Sequence, residues 1–233
     1  MPTPARAGRV AVVRFVDVPI EQTTAATDGI LALLALGGLV LLLGLRSRDP
    51  QKVTIWAAAF LCLLVASAAG AVVHGVEVGP HGRHLLWLVI YLCLGLLVAS
   101  FTVGTVHDLW GERAARRATP VMVTIGMLFF AITQLVDGAF VGFVIYEAAA
   151  LSFALLGYHW LSLIRQRPGA GLMTAGILVT LAAAVIQATR LVPQISVVWT
   201  FDHNGLFHVV QMLGVVLIVS GLRAAILPGP AGG

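Results

Sequence analysis

Charged residues are scarce in this sequence. Only 10% of its 233 residues are Asp, Glu, Lys or Arg, whereas 59% are hydrophobic and the mean hydropathy is +0.99. A soluble domain usually carries about 25% charged residues and could not bury so much apolar surface. The composition therefore predicts an integral membrane protein. Its net charge of +4 is expected to report the topology of the loops rather than binding to nucleic acid.

Lysine and cysteine are also rare. The single lysine, Lys52, falls between two predicted spans, so no lysine is left within a span to form a Schiff base with retinal. Both cysteines, Cys62 and Cys93, lie inside apolar runs and are predicted to be small buried residues rather than a disulfide. These scarcities exclude a retinal protein and give no sign of a disulfide-stabilised fold.

Seven apolar runs predict an all-α membrane protein, a single bundle of seven transmembrane helices. A helix needs roughly 20 apolar residues to cross the hydrocarbon core. Residues 1–20 are predicted to be extramembrane or interfacial, and the short "DGA" break predicts a tight antiparallel hairpin of the fourth and fifth spans. The predicted spans cover 27–45, 53–74, 85–106, 119–137, 139–163, 169–190 and 203–225.

The basic residues divide unevenly between the two sides of this bundle. Nine of the 14 Lys and Arg residues fall in alternate loops and the C-terminal segment, and five fall on the side of the N-terminus. Because cytoplasmic loops are enriched in positive charge, the N-terminus is predicted outside and the C-terminus in the cytoplasm of a bacterial inner membrane.

Polar residues from five segments are predicted to lie near one leaflet. Odd-numbered spans begin, and even-numbered spans end, on the side of the N-terminus. Independent interfacial residues would explain many of these positions, whereas a shared polar site would also explain His208, which lies more than a turn inside its span. The residues placed there are Glu21, Asp28, His74, Asp137, Gln187, Arg190, Asp202, His203, Asn204 and His208.

Three of these residues are candidate metal ligands. Three protein ligands and one open position form a catalytic zinc site, and His74, His203 and His208 supply imidazole groups. Residues five apart on a helix diverge by about 140°, so His203 and His208 cannot both face inward unless the helix begins after His203. Asn204 and His208 share a face, and Asp202 is a candidate N-cap.

A second pair of histidines lies near the opposite leaflet. Together with His74 and His208, the residues His107 and His159 could hold two b-type haems through paired imidazoles. Interfacial positions at the ends of helices are the simpler interpretation of His107 and His159.

One carboxylate lies deeper in the predicted bundle. Glu147 falls about a third of the way into the fifth span. Either it lines the same cavity together with Tyr146, or it hydrogen-bonds within the bundle.

The segments "EQTTAATD", "GAVVHG" and "DHNGLFHVVQ" are similar to an uncharacterised bacterial seven-helix family. More distantly the chain resembles the CREST superfamily, which contains alkaline ceramidases and the progestin/adiponectin-receptor family. That resemblance implies zinc ligands at His74, at His208 and at the position of Asn204, where the neighbouring His203 is the available imidazole. A serine of the superfamily falls on Gly70 here, and an acidic residue of its third span falls on Leu85.

The resemblance also implies a zinc-dependent hydrolase acting on a lipid amide or ester. Asp28 or Asp137 would serve as general base, with Glu21, Thr24 and Asn204 as supporting residues. The partner implied is a lipid or another membrane-soluble small molecule, and no nucleic acid. The alternatives are a non-enzymatic membrane protein, such as a sensor, transporter or scaffold, and a haem electron carrier.

Overall fold

A computed structural model describes residues 13–136, 139–189, 194–196 and 198–227, apart from the side chains of residues 139 and 140. Within these ranges the chain forms seven helices and one short hairpin. The hairpin pairs β1 (Ile195–Ser196) with β2 (Thr200–Phe201) in antiparallel register. The helices are α1 (Pro19–Gly44), α2 (Pro50–Gly75), α3 (Pro80–Trp110), α4 (Glu112–Thr133), α5 (Ala139–Leu163), α6 (Ala170–Thr189) and α7 (His203–Ile226).

Every one of the seven helices is long and apolar enough to cross a membrane. Their most apolar windows have mean hydropathies between 1.3 and 2.4. The prediction of an all-α chain is therefore confirmed, and the seven described helices match the predicted spans in number. The ends differ, since α1 begins at Pro19 rather than at residue 27, and α4 runs from Glu112 to Thr133 rather than over 119–137. Hydropathy marks the stretch that avoids water, and a helix continues past that stretch into polar turns.

Six of the helices form a ring, and α4 lies outside it. Contacts follow the order α1, α2, α3, α5, α6, α7 and back to α1, whereas α4 packs along α3. Gly95 on α3 and Gly126 on α4 allow this close approach, because a Cβ on either one would lie 2.7 Å from the carbonyl oxygen of the other. Small residues commonly bring membrane helices together in this way.

The prediction of a tight α4–α5 hairpin was wrong. The two helices share few contacts, although the rings of Phe129 and Phe143 lie 5.9 Å apart. The close fit between Gly95 and Gly126 holds α4 against α3 instead. Of its two chain neighbours, α4 packs against α3, to which the single residue Gly111 connects it, rather than against α5.

Lys52 lies in the first turn of α2, so its predicted loop position was wrong. Asp49 caps this helix by accepting a hydrogen bond from the Lys52 backbone N–H at 3.0 Å. The Lys52 side chain is buried, and its Nζ lies 2.9 Å from Oδ1 of Asp108 on α3. Tyr158 on α5 donates a hydrogen bond to the other Asp108 oxygen at 2.7 Å. This polar cluster joins α2, α3 and α5 at one end of the bundle.

The opposite end of the bundle carries short extended segments. Residues 13–18 are not helical, and Phe15 pairs with Val76 just after α2. The backbone N–H of Val16 donates to the Gly75 carbonyl at 3.1 Å, and that of Glu77 donates to the Arg14 carbonyl at 2.9 Å. Of the predicted interfacial segment 1–20, residues 1–12 lie outside the described ranges. The part that is described joins the end of α2 to the start of α1.

A candidate polar cavity in the helix ring

A cavity of about 520 Å³ lies inside the ring, toward the end at which α1 and α7 begin. All six ring helices contribute side chains to its wall, and most of that wall is apolar. It gathers residues that are up to 187 positions apart in the chain, from Thr24 to Gln211. Of the residues singled out in the sequence, those on its wall include Thr24, Asp28, His74, His203, Asn204 and His208.

His208 is buried, and each of its ring nitrogens lies close to a polar side chain. Nδ1 lies 3.0 Å from the hydroxyl oxygen of Thr27. That hydroxyl also lies 3.0 Å from the Thr23 carbonyl and 2.9 Å from the Thr24 carbonyl. Because a hydroxyl has one proton, donation to either carbonyl leaves its lone pair to accept from Nδ1–H. This arrangement favours the tautomer whose Nε2 lone pair points away from Thr27.

Asp28 faces that second nitrogen. Its Oδ1 lies 3.4 Å from Nε2 of His208, and both side chains are buried. A lone pair and a carboxylate oxygen need a proton or a cation between them. Two ligands bound to one tetrahedral zinc ion, each at about 2.0–2.2 Å, lie roughly 3.4 Å apart. The Asp28–His208 pair thus has the chemistry and the spacing of two neighbouring zinc ligands.

Gly70 provides the space for the Asp28 carboxylate. A Cβ at position 70 would lie 2.6 Å from Oδ2 of Asp28 and 2.8 Å from its Cγ. Any side chain at this position would therefore compete with Asp28 for the same volume. The CREST superfamily has a serine at this position, so this chain differs from the superfamily in having Gly70 here and the Asp28 carboxylate beside it.

His74 is the second imidazole with an oriented ring. Its Nδ1 lies 2.6 Å from Oε2 of Glu21, and its ring meets Trp87 edge-on with centroids 6.2 Å apart. A carboxylate on one nitrogen fixes the orientation of a histidine and is common behind metal-binding imidazoles. His74 lines the cavity, so Glu21 orients a residue of the cavity wall from behind.

The start of α7 brings His203 and Asn204 to the same wall. Asp202 caps this helix, since its Oδ1 accepts hydrogen bonds from the backbone N–H groups of Asn204 at 3.0 Å and Gly205 at 2.9 Å. The predicted N-cap is thereby confirmed. His203 is the first helical residue, and it lines the cavity together with Asn204 and His208. The sequence left open whether His203 or Asn204 faces the site, and both line the cavity because they lie in the first turn of α7.

Two functional contacts were not anticipated from the sequence. Thr27 is fully buried and holds His208, which lies 181 positions further along the chain, so the sequence alone does not pair the two residues. Gln211 was overlooked, although it lies three residues after His208 and so shares its helical face. Glu147 lines the cavity, while Tyr146 points instead toward the Gly95 carbonyl, 3.5 Å from its hydroxyl.

Some predicted residues do not join this cavity. Asp137 and Arg190 lie outside the described residues. At the far end, His107 Nδ1 lies 3.3 Å from Oδ1 of Asp108, and His159 is exposed. Within the described ranges, no three His, Cys, Asp or Glu side chains come together as a ready-made metal site. The structure assembles the Asp28–His208 pair and holds His74 separately on the same wall.

A model of a protein family of unknown function, DUF6962, matches residues 23–226. The match covers all the cavity residues named above and nearly the whole helix ring. No curated protein and no solved structure matches the chain, so neither comparison links it to the CREST superfamily. The chain belongs to DUF6962, a family of unknown function.

Proposed function

We propose that this chain is an integral membrane hydrolase that uses zinc to cleave a lipid amide or ester bound in the polar cavity. The observation that carries the proposal is the Asp28–His208 pair, whose 3.4 Å separation suits two ligands of one zinc ion. The distribution of basic residues favours a bacterial inner membrane, with the N-terminus outside and the C-terminus in the cytoplasm.

The donor set fits zinc in its chemistry. Neutral imidazoles and a carboxylate are common zinc ligands, and His74, His208 and Asp28 supply two nitrogens and one oxygen to a single cavity. His203 on the same wall is a fourth candidate. When bound, zinc would act as a Lewis acid that polarises the carbonyl group of the substrate.

The chain's own residues would orient the reactants. Thr27 holds the His208 ring in place, and Glu21 holds His74. Ser67, Thr24 and Asn204 line the cavity with groups that can hydrogen-bond to a polar head group. The apolar remainder of the wall suits the hydrocarbon part of a lipid. Asp28 is assigned to the metal, in place of the general-base role that the resemblance implied for it.

Hydrolysis of long-chain amides and esters in lipid nanodiscs tests this function. Release of fatty acid is followed by mass spectrometry for wild type, His208→Ala and the matched control His159→Ala, with and without a zinc chelator. We expect wild type and His159→Ala to release fatty acid, and His208→Ala and the chelated protein to release none. Wild-type protein that releases no fatty acid from any member of the panel contradicts the proposal.

A non-enzymatic ligand-binding protein is the second candidate. His74 and His208 already have protein partners, and the described residues include no assembled metal-binding trio. A cavity organised in this way can recognise a lipid, or carry a small solute, without cleaving it. Binding of panel lipids without any release of fatty acid would favour this function over hydrolysis.

A further inference from the structure

A second, smaller cavity of about 70 Å³ adjoins the polar one. The two cavities share Leu63, Leu97, Glu147 and Gln211 in their walls, so these four residues form the neck between them. Two of the four are polar, although the neck lies among apolar side chains. Polar groups in such surroundings are costly unless they are hydrogen-bonded.

Both polar groups at the neck lack partners in the described structure. The Gln211 Oε1 atom is buried and accepts no hydrogen bond from any described residue. No described residue forms a hydrogen bond or an ion pair with the half-buried Glu147 carboxyl group. Buried polar groups nearly always have a partner, so one without a protein partner binds water or a ligand.

The missing partner is a hydrogen-bond donor. The Oε1 of Gln211 can only accept, and an ionised Glu147 can only accept as well. The described wall of the large cavity carries the carboxylates Asp28 and Glu147 but no Lys or Arg. Asp28 is assigned to the proposed zinc ion, which leaves the Glu147 carboxylate at the neck without a described cation, and a cation is favoured beside it. A primary ammonium group meets both requirements, since it is cationic and has three N–H donors.

We infer that Glu147 and Gln211 bind the primary ammonium group of an amphipathic amine, whose hydrocarbon chain lies along the apolar cavity walls. The inference deepens the proposed function by naming a ligand class for the same cavity. It rests on ligand binding in that cavity and does not require that the protein cleave its ligand.

Thermal unfolding in lipid nanodiscs provides the test, because a ligand that binds the folded state raises the unfolding temperature. The probe is dodecylamine, at mole fractions matched to dodecanol and dodecyltrimethylammonium. Dodecanol lacks the charge, and the trimethylammonium compound lacks N–H donors. Wild type is compared with Glu147→Gln and Gln211→Leu, which preserve side-chain size. Glu112→Gln, at an exposed residue on α4, controls for the loss of a negative charge.

Dodecylamine is expected to stabilise wild type and Glu112→Gln, and to do so more than either of the other amphiphiles. Losing one hydrogen bond to a charged group should weaken its apparent affinity for Glu147→Gln and Gln211→Leu by about tenfold or more. Equal stabilisation of these two variants and wild type would overturn the inference. So would equal stabilisation of wild type by dodecyltrimethylammonium, or no response to dodecylamine.

The result separates this inference from the proposed function. Amine binding that depends on Glu147 and Gln211, without hydrolysis of any lipid, upholds the inference and refutes the hydrolase. Hydrolysis that proceeds without selective amine binding upholds the proposed hydrolase and refutes the inference about the amine.

Discussion

Replacing Gly70 by alanine should push the Asp28 carboxylate away from α2. The new Cβ would lie 2.6 Å from Oδ2, 2.8 Å from Cγ and 2.9 Å from Oδ1 of Asp28. Unstrained contacts between carbon atoms are about 3.5–4.0 Å, so the side chain has to rotate. Asp28 is only 6% exposed, and a rotation gives up its contact with His208.

The expected magnitude combines two opposing effects. Forcing an added methyl group into a packed site costs about 1–3 kcal/mol. Replacing glycine by alanine within a helix gains about 0.5–1 kcal/mol. Gly70→Ala should therefore be about 0–2.5 kcal/mol less stable than wild type, which corresponds to a fall of up to roughly 10 °C in the unfolding temperature of a chain of this size.

Gly37→Ala on α1 is the matched control, because nothing lies within 4 Å of its added Cβ. It keeps the helix gain without the clash, so it should unfold at or above the wild-type temperature. Both variants are measured by thermal unfolding in nanodiscs. A Gly70→Ala protein that unfolds at the same temperature as Gly37→Ala would refute the reasoning that Gly70 makes room for Asp28.

Three further substitutions, one of them a control, test the contacts that hold the helices and the histidine. Asp108→Ala leaves the buried Lys52 unpaired and should cost about 3–5 kcal/mol, seen as a large fall in unfolding temperature. Glu112→Ala breaks an exposed ion pair and should cost less than about 1 kcal/mol, so equal losses would contradict the structural role of the buried pair. Thr27→Val removes the hydroxyl that holds His208, and it should lower zinc affinity about 10- to 100-fold in a chelator competition. Unchanged zinc affinity would show that Thr27 does not position a ligand.

Helix number and the grouping of polar residues could be predicted because both follow from local sequence. An apolar run of sufficient length becomes a helix that can cross a membrane, and alternating helix directions bring His74 and His208 to the same end. The N-cap at Asp202 could likewise be predicted, because this residue comes directly before an apolar run. These predictions needed no knowledge of which helices are neighbours.

The remaining features depend on tertiary packing. The position of α4 outside the ring follows from the fit between Gly95 and Gly126, which no helical periodicity reveals. Lys52 and Asp108 both lie at the edges of apolar runs, where solvated charges are the usual expectation, yet they pair in the interior. The partnership of Asp28 with His208 likewise depends on a glycine of a third helix.

The most direct test of the proposed zinc site is the metal content of the purified protein. Elemental mass spectrometry of wild type, His208→Ala and His159→Ala, purified side by side in detergent, gives the number of zinc ions per chain. The account predicts about one zinc ion in wild type and His159→Ala, and a loss of it in His208→Ala. Wild type without zinc, or His208→Ala with undiminished zinc, would contradict the assignment of Asp28 and His208 to a metal site.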